Sequence, residues 1–491
     1  MDVADFLNYP SYLDDDYEDE DDSGPHEAEE DLEHFIQDVE IAPDIADAYD
    51  VGDMTAFELW TDCTSAVVDQ TVKSVQSSVM IVFFLLLMHL LLPRRASWRN
   101  SVVHLLVAGS GYSSMVRYFH RLHRVGLTST FVLFVSLGWL LLMALRSIVG
   151  GRVRGFICSA VATVVLFLCD RVTDPTTTHE LRGVQMIFLM KLMSLTFDNY
   201  RPLATFEGIT EYFAYVLLPA NSIFGPWISL AEYRKWCQSD VRGFFFFVTQ
   251  LWSHFRSCGV ALFFLLSSAC FAEWIIPEAM SSRWMIAYRS AISFRFSHYF
   301  ACYLSESLMA LGGFQDVMVT KPLKIELPRS LVDVVKYWNI PMRNWLREYV
   351  FVNVKHVAGV PLALFATYAA SSLLHGFNFQ LSAVLLSLAF FTYVEHELRR
   401  KLALHLDACI EARACRDCNH RYRASHPYVF LTNLAFGLLA MVNLAYLGDV
   451  FDSSSNAEAG YDYLHTLTKW SQLQFAGHYI MTVCYGIQLL L

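Results

Sequence analysis

From Val357 to Leu374 the chain runs without a charge, and from Gly376 to Val394 it does so again. Long apolar runs of this kind recur from about residue 79 to the end. Many approach the roughly 20 apolar residues that span a bilayer. The pattern predicts ten or eleven membrane spans: 79–92, 101–116, 128–145, 155–169, 182–196, 209–230, 258–276, 357–374, 378–394, 428–448 and 473–491. The region 281–315 is helical in pattern but carries Arg283, Arg289, Arg295 and His298, which predicts an interfacial helix or one facing a polar cavity. The short alternating segments of a β-barrel are absent. The fold class is an all-α polytopic membrane protein.

Composition agrees with the pattern. Of 491 residues, 55% are apolar and only 17% charged, against roughly 25% charged in soluble domains. The mean hydropathy is +0.35. The net charge of -12 misrepresents the membrane body. Residues 1–53 hold 21 of the 48 acids and none of the 36 Lys and Arg, which leaves the remainder at +9. Residues 1–70 are therefore expected to be an acidic, disordered tail, and 71–491 the membrane domain. The tail is either a docking element or a solvated appendage. It has no apolar core of the kind a signal peptide needs.

The positions of the bases predict the topology. PRRASWR, residues 93–99, follows the first span. Arg399, Arg400, Lys401, Arg413, Arg416, Arg421 and Arg423 follow Val394 as a basic loop. Short loops rich in Lys and Arg stay cytosolic. The helix 378–394 then begins towards the lumen, and a lone histidine, His375, sits at the lumenal turn of a helical hairpin.

His375 is the only His, Asp, Glu, Lys or Arg between residues 357 and 394. An unpartnered buried polar group costs roughly 2–7 kcal/mol on apolar transfer scales. His375 is thus a core histidine bonded to a carbonyl, or a functional group. Ionisable groups inside membrane spans are functional candidates, Gly376 permits a turn beside it, and a desolvated imidazole is a usable general base near pH 7.

A second polar landmark lies in the amphipathic stretch 321–351. Asn339 stands in WNIP, where Pro341 predicts a break or kink. Its amide either caps backbone groups there or points into a cavity to hold a carbonyl or hydroxyl. Trp338, Trp345 and Tyr349 are candidates to line an acyl tunnel, with packing or lipid-facing roles as alternatives. The eleven cysteines mostly sit in apolar segments, where they act as small hydrophobes. Cys409, Cys415, Cys418 and His420 make a weak zinc candidate, with spacing C-x5-C-x2-C-x-H unlike a familiar finger. A plain reduced loop, or a lipidated cysteine, is the alternative. P-loop, GxGxxG and GxSxG motifs are absent.

WN followed about 36 residues later by an apolar-flanked histidine resembles the membrane-bound O-acyltransferase family. Longer blocks resemble its Wnt-lipidating members: RGVQMIFLMKLMSLTFD (182–198), FGPWISL (224–230), KPLKIELPRS (321–330) through NWL (344–346), the stretch from Tyr368 to Ala403 around SSLLHGFNFQ, and NLAYLGDVFD (443–452). The resemblance implies a helical bundle with a substrate tunnel, in the endoplasmic reticulum membrane. It places His375 on the family's catalytic histidine and Asn339 on its companion asparagine. It implies no cofactor, palmitoleoyl-CoA as co-substrate and a serine of Wnt proteins as acceptor. The implied surroundings are membrane lipids, with no nucleic acid. Two other readings stand beside it: a sterol or lysolipid acyltransferase of the same superfamily, and a transporter whose histidine relays protons.

Overall fold

The computed structural model describes residues 56–91, 99–121, 126–148, 151–173, 175–198, 200, 205–223, 225–238, 243–277, 282–376, 378–415, 420–451 and 463–491. Among the described residues the protein is helical throughout, with one isolated bridge pair, Ala408 and Tyr422, in place of any strand. The first helices are α1 (Ala56–Leu91), α2 (Arg99–Arg121), α3 (Gly126–Ile148), α4 (Gly151–Val172) and α5 (Pro175–Phe197). The short α6 (Phe206–Val216) and α7 (Leu230–Gln238) follow.

In α1 the helix begins at Ala56, so the expected boundary at residue 70 falls inside it. The acidic residues 1–53 lie outside the described residues. A disulfide joins Cys63 of α1 to Cys270, so these two cysteines are a covalent staple and not small hydrophobes. The expected span 209–230 is two pieces. Pro219 ends α6, since it can neither donate nor let the preceding residue stay helical. The carbonyls this leaves at Tyr215 and Val216 accept from Lys191 Nζ at 3.0 and 3.2 Å, and Asn221 Oδ1 accepts from it at 2.8 Å. Lys191 is wholly buried in α5, whose residues 181–196 are all buried.

The centre is built on α8 (Phe244–Leu266) and α10 (Arg283–Leu311). A π-helical turn, Ser267–Phe271, carries α8 into α9 (Ala272–Ile275). α8 runs beside α10, and the π-helical turn joins α10 through Ser268 Oγ to Ser297 Oγ at 2.6 Å. From Ser297 onward every residue of α10 but Tyr303 is buried. From Ser297 to Leu311, α10 is therefore a central helix of the bundle. Two of its three arginines pair with carboxylates: Arg295 Nε and Nη2 reach Glu326 at 2.7 and 2.9 Å, and Arg283 pairs with the buried Asp449; Arg289 donates to the Ile276 carbonyl at 3.1 Å.

A strap of short helices follows: α11 (Pro322–Glu326), α12 (Leu331–Trp338) and α13 (Ile340–Trp345), then a π-helical turn, Leu346–Phe351. α14 (Val352–Leu374) and α15 (Phe379–Leu406) form a hairpin, followed by α16 (Pro427–Gly448), α17 (Tyr463–Gln472) and α18 (Ala476–Leu490). α16 packs on α10 where Gly448 meets Ala291; a Cβ on Gly448 would lie 2.6 Å from that of Ala291.

Among the described residues, five helical stretches are long and apolar enough to cross a membrane: Gly126–Leu145, Arg152–Cys169, Phe244–Phe271, Phe379–Leu406 and Pro427–Gly448. α1, bent by 51°, makes a sixth if counted as one span. The other expected spans lie in helices that are shorter, broken or studded with buried polar groups. The basic stretch after Val394 also differs from expectation. α15 continues to Leu406, and Arg399 is fully buried within it.

Candidate active site

Two breaks in helical structure meet at one cavity. The first is the hairpin turn. His375 ends α14, with φ -79° and ψ -1°. Gly376 follows at φ +102°, a conformation that glycine adopts without strain. Asn378 then starts α15 by accepting from the Gln380 N–H at 2.8 Å, a side-chain cap. Ser372 and Ser382 hydrogen-bond across the hairpin. His375 is buried, 7% exposed, and Gly376 is pressed by Arg182 of α5: a Cβ there would lie 2.9 Å from Nη2.

The second break is the strap. α12 stops at Trp338 and α13 starts at Ile340, with Asn339 between them at φ -135° and ψ 91°. Asn339 Oδ1 accepts from the Met342 N–H. The capping role expected for this amide is therefore realised, and Asn339 also lines a cavity. The cap engages Oδ1 and fixes the side chain, so its chemistry towards a ligand would be that of the Nδ2 donors.

His375, Asn339 and Trp338 line the same cavity of about 170 Å3, between α10, α12, α13, α14, α15 and α16. Most of its wall is apolar, with Arg295, Arg343 and Arg347 also on it. Tyr368 and Ser371 stand two and one turns before His375 on the same face of α14. Their i−7 and i−4 spacing from His375 is a helical signal legible in the sequence. Phe294 and Phe451 stack with centroids 4.1 Å apart and bring α10 and the end of α16 to the same wall. No local pattern marks that pairing.

Trp345 and Tyr349 do not join them. Helical periodicity turns Met342, Arg343, Leu346 and Arg347 to the cavity, and Trp345 and Tyr349 the other way, onto α5. Trp345 Nε1 donates to the Met190 carbonyl at 3.1 Å, and the Tyr349 hydroxyl donates to Asp198 at 3.0 Å. Neither lines this cavity.

The cysteine loop is a separate feature. Cys409 is buried among Ala403, Ala408, Ile410 and Val429, and its N–H donates to the Tyr422 carbonyl at 2.9 Å. His420 Nδ1 lies 3.2 Å from Asp407 Oδ1. Cys415 is half-buried, and Cys418 lies outside the described residues. Among the described residues, no three of His, Cys, Asp or Glu come together as metal ligands.

Residues 158–404 match the model of the membrane-bound O-acyltransferase family, and that segment contains both breaks. The chain belongs to the membrane-bound O-acyltransferase family. The chain is also similar to curated proteins. The Homo sapiens protein-serine O-palmitoleoyltransferase porcupine is 37% identical over 82% of this chain and 92% of its own length. The Mus musculus protein of the same name is 37% identical over 80% and 90%. That of Anopheles gambiae is 36% identical over 64% and 69%. Membership makes the protein a membrane-embedded acyltransferase, and the transporter reading falls with it.

Proposed function

We propose that the protein transfers a palmitoleoyl group from palmitoleoyl-CoA to a serine hydroxyl of Wnt proteins in the endoplasmic reticulum membrane. His375 is the general base and Asn339 the donor to the thioester carbonyl. The observation that carries this reading is that the two residues, from separate helical breaks, face one cavity. The names of the relatives support the acyl group and the serine acceptor.

The chemistry follows from the groups. His375 takes the proton of the acceptor serine as its oxygen attacks the thioester carbon. Negative charge develops on the carbonyl oxygen, where the Asn339 Nδ2 donors stabilise it. The C–S bond then breaks, the ester remains on the acceptor, and the imidazolium returns its proton to the departing CoA sulfur. No acyl-enzyme forms, because the nucleophile belongs to the substrate. The donor is an anion with a long apolar tail. An apolar cavity with the Arg343 and Arg347 guanidinium groups on its wall suits both parts.

The test is labelled palmitoleoyl-CoA with a serine-bearing Wnt-derived peptide and the full chain in detergent micelles. An ester on that serine, absent from the alanine peptide, is expected. Transfer to a lysolipid or sterol with none to the peptide would overturn the acceptor assignment.

A further inference from the structure

The break at Asn339 leaves the last carbonyls of α12 without intrahelical donors, as any helix end does. They are satisfied from two directions. The Tyr337 carbonyl accepts from the Lys321 N–H at 3.2 Å and from Thr320 Oγ1 at 2.9 Å. The Trp338 carbonyl, on the residue immediately before Asn339, lies 3.1 Å from His298 Nε2 on α10. A carbonyl can only accept, so His298 carries a hydrogen on Nε2 and donates it. The same imidazole lies flat on the Trp338 indole, centroids 4.3 Å apart with 4° between the planes. His298 is 2% exposed.

α10 holds this junction at a second point. Buried Glu306 accepts from the Val319 N–H at 2.6 Å, and the Val319 carbonyl lies 3.5 Å from the Ile340 nitrogen. The residues on both sides of Asn339 are therefore fastened to one central helix, and at Trp338 the fastening is both a directional bond and a stacked ring. Phe294 and Arg295 reach the cavity from the turn of α10 just before His298, so the helix that grips the break also walls the site.

We propose that His298 is a positioning residue for the acyl transfer: through the Trp338 carbonyl and ring, it aims the Asn339 amide at the thioester oxygen. The inference rests on the reading of Asn339 as the carbonyl donor. A donor displaced by about 1 Å can cost on the order of 10²-fold in rate, so the grip matters to turnover beyond its value to the fold.

A double-mutant cycle in micelles, with palmitoleoyl-CoA and the Wnt-derived peptide, separates the two. His298→Phe keeps a flat ring on Trp338 and removes the donor. It is expected to lower kcat about 10- to 100-fold, with KM for palmitoleoyl-CoA within about twofold of wild type. If His298 acts through Asn339, adding His298→Phe to Asn339→Ala costs less than about twofold more. His298→Gln, whose amide can reach the same carbonyl, is expected to recover at least about a third of wild-type kcat. The inference is overturned by losses that multiply in the double variant, or by a raised KM with kcat unchanged. Full turnover in His298→Phe beside an inactive Asn339→Ala overturns it and leaves the Asn339 reading standing. Full turnover in Asn339→Ala overturns that reading itself. If the phenylalanine variant does not purify, His298→Gln decides alone: retained kcat supports the inference, and a loss beyond about tenfold with intact thermal stability overturns it.

Discussion

At the residue scale, His375 and Asn339 each meet a structural requirement as well as the proposed chemical one, so variants must separate the two. His375 faces an existing cavity, and truncating it enlarges space already there. His375→Ala is expected to keep thermal stability near wild type and to lose about 10²–10⁴ in transfer rate, the usual contribution of a general base. An active variant would remove His375 from the mechanism. One that only unfolds would return it to the core. Asn339→Ala loses the cap as well as the donor, and a lost cap alone costs about 0.5–2 kcal/mol. Asn339→Asp is cleaner: it retains an oxygen to accept from the Met342 N–H but has no amide donor. It should stay folded and be impaired in kcat, read by comparing melting temperature with turnover on one preparation. Wild-type turnover in Asn339→Asp would show that the amide is only a cap.

At the element scale, the buried Arg399 joins helices that the sequence presents as independent. Its guanidinium contacts the Ile410 carbonyl at 2.8 Å, the Arg329 carbonyl at 2.7 Å, Glu395 at 3.1 Å, the Glu411 carbonyl at 3.0 Å and Asn433 Oδ1 at 2.7 Å. It thereby ties α15 to the strap, to the cysteine loop and to α16. Arg399→Leu would leave Glu395 and several carbonyls buried without this cation. A cost of about 3–5 kcal/mol is expected, as for other broken buried pairs, visible as a large drop in melting temperature. A small drop would mean that water or a neighbouring cation replaces the guanidinium. Cys409 of the same loop packs in an apolar cluster of its own, with Cys415 against it. Changing Cys415 to Ser should leave turnover intact, and stoichiometric zinc in the purified protein would contradict that expectation.

At the scale of the whole molecule, one orientation in the membrane is expected from the disulfide and the basic segments. Disulfides persist in oxidising compartments, which predicts that the Cys63 end of α1 and the turn after α8 that carries Cys270 face the lumen. The base-rich 93–99 segment follows α1 at its other end. Arg283 at the start of α10 pairs with Asp449 just past the end of α16, so those two ends share a side. At the opposite ends, Lys401 Nζ donates to the Gln488 carbonyl at 2.6 Å, near the finish of α15 and α18. A protease should cut at the exposed Arg421 or Arg423 from the cytosolic face of intact microsomes. Cleavage there only after permeabilisation would reverse the orientation.

The all-α membrane class, the break at WNIP, the helical hairpin and the two candidate residues were all legible in the chain. Each is written in local chemistry: apolar run length, a proline that cannot donate, a glycine that permits a positive φ, and a polar residue where none is expected. The Wnt-lipidating resemblance was legible as well, in blocks spread from residue 182 to residue 452. What remained hidden depends on which distant segments meet. The burial of α10 could not be read from its arginines, because their partners, Glu326 and Asp449, lie far along the chain. The division of the aromatics, with Trp338 on the cavity and Trp345 and Tyr349 on α5, was set by the rotation of short helices against their neighbours. The Cys63–Cys270 pairing, 207 residues apart, has no local signature. Local pattern determines where a helix forms or breaks. Only tertiary packing decides which face is buried and what is within reach of a given side chain.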